Sequence, residues 1–245
     1  GAITPSMHSY ACMCGCASQD GPDTKTGFKL MGGWKFGNTI DGSQAEYILV
    51  NDAQANLAPI PDGLTDEEVL MCPDIMSTGF SAAERANVRI GDMVAVFATG
   101  PIGLCAVAGA KLMGATRIFA VDAIPERLAV AKKLGATDTV NFKECNPVEK
   151  IMDLTDGRGV DVSIEALGTQ ATFESCLHVL RPGGKLSSLG VYSNDLKIPL
   201  DAYGAGLGDI DILSGLRPGG KERMRRLLAV VAARQVDLRP LVTHH

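Results

Sequence analysis

Two glycines and one aspartate have the types and spacing of a dinucleotide-binding turn. Gly100 and Gly103 stand at the second and third glycine positions of G-x-G-x-x-G, and Ala98 takes the first. Glycines there let the backbone approach a pyrophosphate at a helix N-terminus. Asp122 follows Gly103 by 19 residues, close to the roughly 20 expected for the acid that binds the ribose 2′-hydroxyl. We therefore predict that a cofactor is bound by Gly100, Pro101, Ile102, Gly103 and Asp122.

The carboxylate of Asp122 also favours NAD over NADP. A ribose 2′-phosphate would meet a like charge there, and the next two residues, Ala123 and Ile124, offer no arginine. The alternative is that a glycine-rich turn and a strand-end aspartate serve only to connect a strand and a helix. The predicted strand, helix and strand around the turn favour a cofactor site over a turn that only connects them.

The segment that carries the turn predicts a strand, a helix and a second strand. Met93–Ala98 is a short apolar run suited to a strand buried on both faces. Pro101 suits the first turn of a helix that continues to Met113. Arg117–Val121 is the next predicted strand. Met93–Ala110 lacks charge for 18 residues, the lower limit for a membrane span, but its Thr-Gly-Pro break argues against one.

The rest of the chain changes character near residue 75. Residues 1 to about 70 are rich in Gly, Pro, Asn and Asp with strand-like pieces such as Ala45–Val50, which indicates part of a β-rich module. After residue 75, apolar strands alternate with helices, which predicts an α/β fold with a doubly wound parallel sheet. The further predicted strands are Thr137–Phe142, Val160–Ala166 and Lys185–Val191. The further predicted helices are Glu126–Leu134, Pro147–Thr155, Ala171–Leu180 and Lys221–Arg234.

Composition excludes several classes of partner. The 245 residues are 46% hydrophobic and 21% charged, enough for one large domain or two smaller ones. A net charge of −5 without a basic run argues against nucleic acid or an anionic membrane as partner. The start, GAITPSMHSY, does not resemble a secretory signal, so we expect a cytoplasmic protein. Seven cysteines, an odd number, favour reduced thiols.

A second cluster of reactive residue types precedes the α/β part, in the run CPDIMSTGF from Cys72 to Phe80. On local grounds Asp74 in this run is a helix cap or a turn acid. Alone it predicts no chemistry.

Several longer blocks give the cluster a context. They are GAITP, GGWKFGNTIDG, NLAPIPDGLTDEE, DIMSTGFSAAE, GPIGLCAVAGAKLMGA and LVTH. With them the chain resembles, over nearly its whole length, the zinc-dependent medium-chain alcohol dehydrogenases, most strongly the tetrameric bacterial secondary-alcohol dehydrogenases. The resemblance implies an NAD-binding Rossmann domain at 76–218. It places part of a β-rich, GroES-like catalytic domain at 1–75 and the start of the return to it at 219–245.

The resemblance also implies roles for individual residues. Asp74 takes the position of a catalytic zinc ligand, and carboxylate oxygen is a legitimate ligand for zinc. Thr78 falls where the family contacts the nicotinamide, and Arg127 where a basic residue meets the adenosine ribose. Trp34 falls at a wall of the substrate pocket, with an ordinary buried tryptophan as the alternative. The backbone that lines the nicotinamide falls on Leu189, Gly190 and Val191.

The family's metal sites are only partly matched. Its other catalytic zinc ligands lie upstream of GAITP, where this sequence starts, so we expect an internal fragment of a longer protein. The positions of the family's structural zinc ligands fall on Ser6, Ser9, Cys12 and Asp20, and we predict no structural zinc. An alternative soft-metal site would use Cys12, Cys14 and Cys16.

The expected reaction is hydride transfer between NAD(H) and a small, secondary alcohol or carbonyl compound, with zinc as the Lewis acid. Two alternatives stay open: a zinc-independent NAD(P)H reductase of the same superfamily, and an inactive dinucleotide-binding fragment. The resemblance further implies a homo-oligomer, dimer or tetramer, formed by strand pairing near Lys197–Leu200.

Overall fold

The computed structural model describes residues 41–50, 53–215 and 218–243. The α-helices are α1 (Ala53–Asn56), α2 (Asp66–Val69), α3 (Ser77–Arg85), α4 (Pro101–Leu112), α5 (Pro125–Leu134), α6 (Pro147–Leu154), α7 (Gln170–His178) and α8 (Lys221–Ala232). The strands are β1 (Met93–Phe97), β2 (Arg117–Asp122), β3 (Asp138–Asn141), β4 (Val160–Glu165), β5 (Leu180–Ser188) and β6 (Asp211–Ser214). A π-helical turn spans Cys72–Met76, and 3-10 turns span Gly204–Gly206 and Arg239–Leu241.

The six strands form one sheet in the order β3-β2-β1-β4-β5-β6, and every neighbouring pair is parallel. This order confirms the predicted doubly wound Rossmann sheet. The chain runs outward from β1 in one direction and then from β4 in the other, so right-handed crossovers place α4 and α5 on one face and α6 and α7 on the other. Ligands bind such sheets at the carboxyl ends of the strands, where the order reverses. Here that point lies between β1 and β4.

The ends of the three central strands are level with one another. Phe97, the last residue of β1, pairs with Val121 of β2 and with Glu165 of β4. All six residues of β4 are buried, because a central parallel strand is covered by helices on both faces. The apolar core on one side of the sheet includes Phe119, Phe173 and Leu186. This packing fixes the carboxyl ends of β2, β1 and β4, where the candidate site lies.

Three predicted elements differ from the structure. Strand β5 begins at Leu180 and ends at Ser188, so the predicted strand Lys185–Val191 is shifted. The Pro-Gly-Gly turn stays inside the strand as an irregularity, with Leu180 opposite Val160 and Lys185 opposite Val162. Because β5 ends early, Leu189 to Val191 follow the strand and lie at the carboxyl edge.

The other two differences concern strand pairing. Ala45–Val50 forms no strand, and Tyr47 within it is 90% exposed. A strand needs a hydrogen-bonded neighbour, and the described residues offer it none. The sheet edge is formed by β6, which the sequence analysis did not predict, and not by Lys197–Leu200, which is irregular.

The chain divides into two compact units. One is Thr78–Gly215, which holds the whole sheet, and the other contains the described residues up to Ser77 and from Pro218 on. Within the second unit, Arg223 donates to the Ser77 hydroxyl and to its carbonyl at 3.1 and 3.0 Å. The same hydroxyl donates to the Pro218 carbonyl at 2.8 Å. Identification of these units with the predicted domains stays a prediction.

No helix among the described residues combines the length and the hydropathy that crossing a bilayer requires.

Candidate dinucleotide-binding site

The glycine-rich turn joins β1 to α4 at the carboxyl edge of the sheet. Gly100 is the N-cap of α4 and Pro101 is its first residue, as predicted. The Gly100 carbonyl accepts the first helical hydrogen bond, from the Leu104 N–H at 2.9 Å. The remaining N–H groups of the first helical turn give this end of α4 the partial positive charge that attracts phosphate.

The two glycines of the turn serve different purposes. A Cβ built on Gly103 would lie 1.9 Å from the Ala98 carbonyl oxygen, so the fold itself demands glycine there. A Cβ built on Gly100 would meet no atom within 4 Å. Gly100 therefore leaves an open backbone face in front of the helix, as the approach of a pyrophosphate requires.

Ala98 is the unusual member of the turn. It has a φ of 70°, a left-handed conformation that glycine adopts freely and alanine does not. The pattern's first glycine is replaced here, but the backbone keeps the conformation that a glycine would give. The turn is thus held by its surroundings, since Ala98 donates its N–H to the Val121 carbonyl at 3.0 Å.

Asp122 connects this turn to the loop after β2. One carboxylate oxygen accepts from the Thr99 N–H at 2.8 Å. The other accepts from the N–H groups of Ala123 and Ile124 at 2.7 and 3.1 Å. Burial raises the pKa of Asp122, but the hydrogen bonds from these three N–H groups outweigh it and hold the pKa below its usual value. The group is ionised at neutral pH.

Arg127 lies beside the same carboxylate, on α5. Its guanidinium nitrogen is 3.7 Å from Asp122 Oδ2, and its side chain is 46% exposed. The structure thus brings Arg127, Asp122 and the glycine-rich turn together.

The start of α3 packs against the first turn of α4. A Cβ on Gly79 would lie 2.6 Å from the Ile102 carbonyl oxygen and 2.5 Å from Cys105 Cβ. Thr78 precedes this close contact and is half-buried. The glycine after it therefore allows Thr78 to lie beside the predicted cofactor turn.

The loops after β4 and β5 form the other side of the edge. A Cβ on Gly168 would lie 2.5 Å from the Val191 carbonyl oxygen, and one on Gly190 would lie 2.4 Å from Gly168 Cα. The backbone of Leu189 to Val191 is therefore locked against the turn at Gly168. The resemblance named the loop after β5, Leu189 to Val191, but the sequence analysis missed the loop after β4.

Glu165 is a further residue that the sequence analysis missed. It is the last residue of β4 and is fully buried. The available signal was an acidic residue at the end of the apolar strand VDVSIE, the same kind of position that Asp122 occupies at the end of β2.

The comparisons with known proteins agree with this geometry. The family described as zinc-binding dehydrogenase matches residues 101–233, more than half of the chain. This chain belongs to that family. The match begins at Pro101, directly after Gly100, and spans Gly103, Asp122 and all strands from β2 to β6.

Related dehydrogenases extend the match to the rest of the sequence. The chain is 64% identical to an alcohol dehydrogenase of Cupriavidus necator, over 100% of this chain and 69% of the relative. It is 44% identical to an NADP-dependent isopropanol dehydrogenase of Thermoanaerobacter brockii, over 88% of this chain and 62% of the relative. Among solved structures, an alcohol dehydrogenase from Thermus sp. ATN1 matches 99% of this chain and 69% of its own, with 31% identity and a TM-score of 0.82.

The predicted zinc ligand of the dehydrogenase lies in the other unit. Asp74 is exposed, within the π-helical turn Cys72–Met76. Among the residues that the structure describes, no group of three or more His, Cys, Asp or Glu side chains could hold a metal ion. A catalytic zinc has three protein ligands. The described residues thus do not form a complete zinc site.

The remaining predicted positions lie outside the described residues. They are Trp34, Ser6, Ser9, Cys12, Cys14, Cys16 and Asp20.

Proposed function

We propose that this chain binds NAD(H) for an alcohol dehydrogenase that transfers a hydride between the cofactor and a small secondary alcohol or ketone. The reaction type is supported by the relatives named alcohol dehydrogenase and isopropanol dehydrogenase. The cofactor is supported by one observation above all. Next to the open backbone of Gly100 at the N-terminus of α4, the Thr99 N–H donates to the ionised carboxylate of Asp122.

Each part of the proposed site follows from the geometry of the carboxyl edge. The N-terminus of α4 would bind the pyrophosphate, and Asp122 with Arg127 would bind the adenosine ribose. Thr78 and the backbone of Leu189 to Val191 would hold the nicotinamide. When bound, the nicotinamide supplies the site that donates or accepts the hydride. The chain's own contribution is to hold that ring in a fixed orientation and to exclude water from it.

NAD is the proposed cofactor because of the charge at Asp122. The carboxylate is ionised, and it is held in place by three backbone N–H groups. A 2′-phosphate beside it would be repelled. The Arg127 guanidinium is already paired with that carboxylate at 3.7 Å, and neither Ala123 nor Ile124 supplies a further cation. This separates the chain from its Thermoanaerobacter relative, which is named NADP-dependent.

A titration with reduced cofactors tests the proposal. Binding of NADH and of NADPH is followed by the fluorescence of the dihydronicotinamide, at low and at high salt. We expect NADH to bind at least about tenfold more tightly, as one unfavourable charge contact of roughly 1.4 kcal/mol would give. The difference should shrink at high salt, because salt screens the repulsion. Equal affinities, or tighter binding of NADPH, would contradict the choice of NAD.

We further propose Asp74 as one catalytic zinc ligand and Trp34 as a wall of the substrate pocket. In the zinc-loaded dehydrogenase, Asp74→Ala should lower the zinc content of the purified protein. The matched control is Asp62→Ala, an exposed aspartate of the same unit. NADH binding should survive both changes, since the Rossmann unit contains neither residue. Full zinc content in the Asp74 variant would remove Asp74 from the ligand set.

The proposed architecture assigns residues 1–75 and 219–245 to the catalytic domain and residues 76–218, which lie between them in the sequence, to the NAD-binding domain. The proposed assembly is a homo-oligomer, dimer or tetramer. Sedimentation velocity at several protein concentrations tests the assembly, and a monomer at all of them would contradict it.

A further inference from the structure

Glu165 is a buried carboxylate whose hydrogen-bonding capacity is used by the protein itself. The residue is 0% exposed. Its Oε1 accepts from the N–H groups of Leu167 and Gly168 at 2.9 and 2.8 Å and from the Thr172 hydroxyl at 2.7 Å. A buried carboxylate is tolerated only where such donors replace water. Oε1 thus fixes the loop after β4.

The second oxygen faces the loop after β5. Glu165 Oε2 accepts from the Tyr192 hydroxyl at 2.8 Å and from the Ser188 hydroxyl at 3.4 Å. The two hydroxyl oxygens are 2.8 Å apart. Burial raises the pKa of the Tyr192 phenol and the nearby carboxylate raises it further, so the phenol keeps its proton and donates.

Backbone contacts join the same two loops directly. The Leu189 N–H donates to the Glu165 carbonyl at 2.8 Å. A Cβ on Gly190 would lie 2.3 Å from Glu165 Oε2, so the carboxylate sits directly beneath the backbone of Gly190. Ser188 and Tyr192 flank the segment Leu189 to Val191 on either side. One side chain thus supports both ends of that segment and the turn at Gly168.

We propose that Glu165 is a positioning residue that sets the backbone of Leu189 to Val191 for the nicotinamide end of the cofactor. The inference rests on the proposed function, because it assigns this loop to the nicotinamide. Glu165 does not contact the cofactor itself, since its oxygens are occupied by five donors of the chain. It acts through the two loops at the β4–β5 side of the edge, whereas Asp122 acts at the β2 side.

Glu165→Gln tests this assignment with little change in size. The amide oxygen can accept from only one of the two donor groups, and the NH2 group faces donors or the Gly190 backbone in place of a carboxylate oxygen. The loop is then held less firmly. We compare binding of NADH with binding of ADP-ribose, which lacks the nicotinamide, by isothermal titration calorimetry on the intact chain.

A matched control is available on the same strand. Asp161, at the amino end of β4, is also a buried carboxylate, and it accepts from Arg158, Arg181 and the Met93 N–H. Asp161→Asn removes a comparable charge from the opposite end of the strand. It should lower the melting temperature and leave the ratio of NADH affinity to ADP-ribose affinity unchanged.

The expected result for Glu165→Gln is a loss of about tenfold in NADH affinity with less than about twofold change for ADP-ribose. Equal losses for both ligands would mean a purely structural role and would overturn the inference, as would no loss for either. If the wild-type chain binds neither ligand, the proposed function fails first. Binding of ADP-ribose by wild type therefore separates the two failures.

A milder variant keeps the test decisive if Glu165→Gln does not fold. Tyr192→Phe removes one donor to the carboxylate and keeps the ring, which packs edge-on against Phe173 with centroids 6.1 Å apart. NADH affinity should fall by about threefold with ADP-ribose affinity unchanged. An unchanged NADH affinity would count against the inference.

Discussion

Two carboxylates, Asp122 on β2 and Glu165 on β4, end the strands that flank β1 at the carboxyl edge, and their hydrogen bonds serve different purposes. Asp122 ends β2 and takes its three close donors from backbone N–H groups of the glycine-rich turn and its own loop. Glu165 ends β4 and accepts from five donors: two N–H groups of the loop after β4, the Thr172 hydroxyl of α7, the Ser188 hydroxyl at the end of β5 and the Tyr192 hydroxyl after it. Asp122 keeps a slightly exposed side chain, at 7%, beside Arg127.

The comparison separates a carboxylate that we propose faces the cofactor from one whose hydrogen bonds hold two loops together. Both are strand-end acids, and burial with strong hydrogen bonds keeps either one in a single orientation. The β2 side is proposed to hold the adenosine ribose and the β4–β5 side the nicotinamide. Variants on the two sides should therefore differ in which half of the cofactor they affect.

The largest effect is expected within the glycine-rich turn. Gly103→Ala places a Cβ 1.9 Å from a backbone oxygen, which should cost about 3 kcal/mol in the free energy of unfolding because backbone must move. Gly100→Ala has open space around its Cβ and should change stability by less than about 0.5 kcal/mol. Gly100→Ala should instead weaken the binding of both NADH and ADP-ribose. Urea unfolding measures the stability of the two variants, and calorimetry measures their ligand affinities. Equal losses of stability would contradict the different purposes assigned to the two glycines.

The next effect sharpens the comparison between the two acids. Asp122→Asn removes the charge from the ribose side and should lower affinity for NADH and ADP-ribose by the same factor, about tenfold. The preference for NADH over NADPH should shrink as well, because the repulsion of a 2′-phosphate is lost. Titrations of wild type and variant with NADH, NADPH and ADP-ribose measure these affinities. A loss confined to NADH would show that Asp122 supports the nicotinamide side, and the comparison would fail.

Asp161, at the amino end of β4, should make the stability of the fold depend on pH in the acid range. Burial raises the pKa of Asp161, but hydrogen bonds from Arg158, Arg181 and the Met93 N–H outweigh it and lower the pKa from 3.8 to about 2. A lowered pKa stabilises the fold above the unfolded value, and that stability is lost as pH falls from about 4 to about 2. It amounts to about 2 kcal/mol.

The variant Asp161→Asn should be less stable at neutral pH and should show a weaker decline over this range. Urea unfolding between pH 5 and pH 2 provides the measurement. Parallel declines for wild type and variant would show that Asp161 does not carry this dependence.

The smallest effect is expected at Arg127. Its guanidinium is 3.7 Å from Asp122 and nearly half exposed, so solvent screens the pair and its contribution is small. Arg127→Gln should weaken NADH binding by less than about threefold. A larger loss, measured in the same titrations, would show that Arg127 contributes more to ribose binding than a solvent-screened charge can.

The sequence by itself determined the β2 side of the site. The turn, α4 and Asp122 follow one another within a single βαβ unit, so their spacing along the chain fixes their positions in space. It also determined most strands, because buried parallel strands are continuous apolar runs. The β-rich character of 1–75 and the role of Asp74 rest on the resemblance and stay predictions.

Only the tertiary structure decided the β4–β5 side. Glu165 takes its partners from residues as far along the chain as Tyr192, and parallel pairing of β4 with β5 brings those loops together. The end of β5 at Ser188 and the edge strand β6 also depend on that pairing, not on local pattern. No local sequence pattern predicts a hydrogen bond between residues far apart in the chain, because its geometry exists only after the sheet has formed.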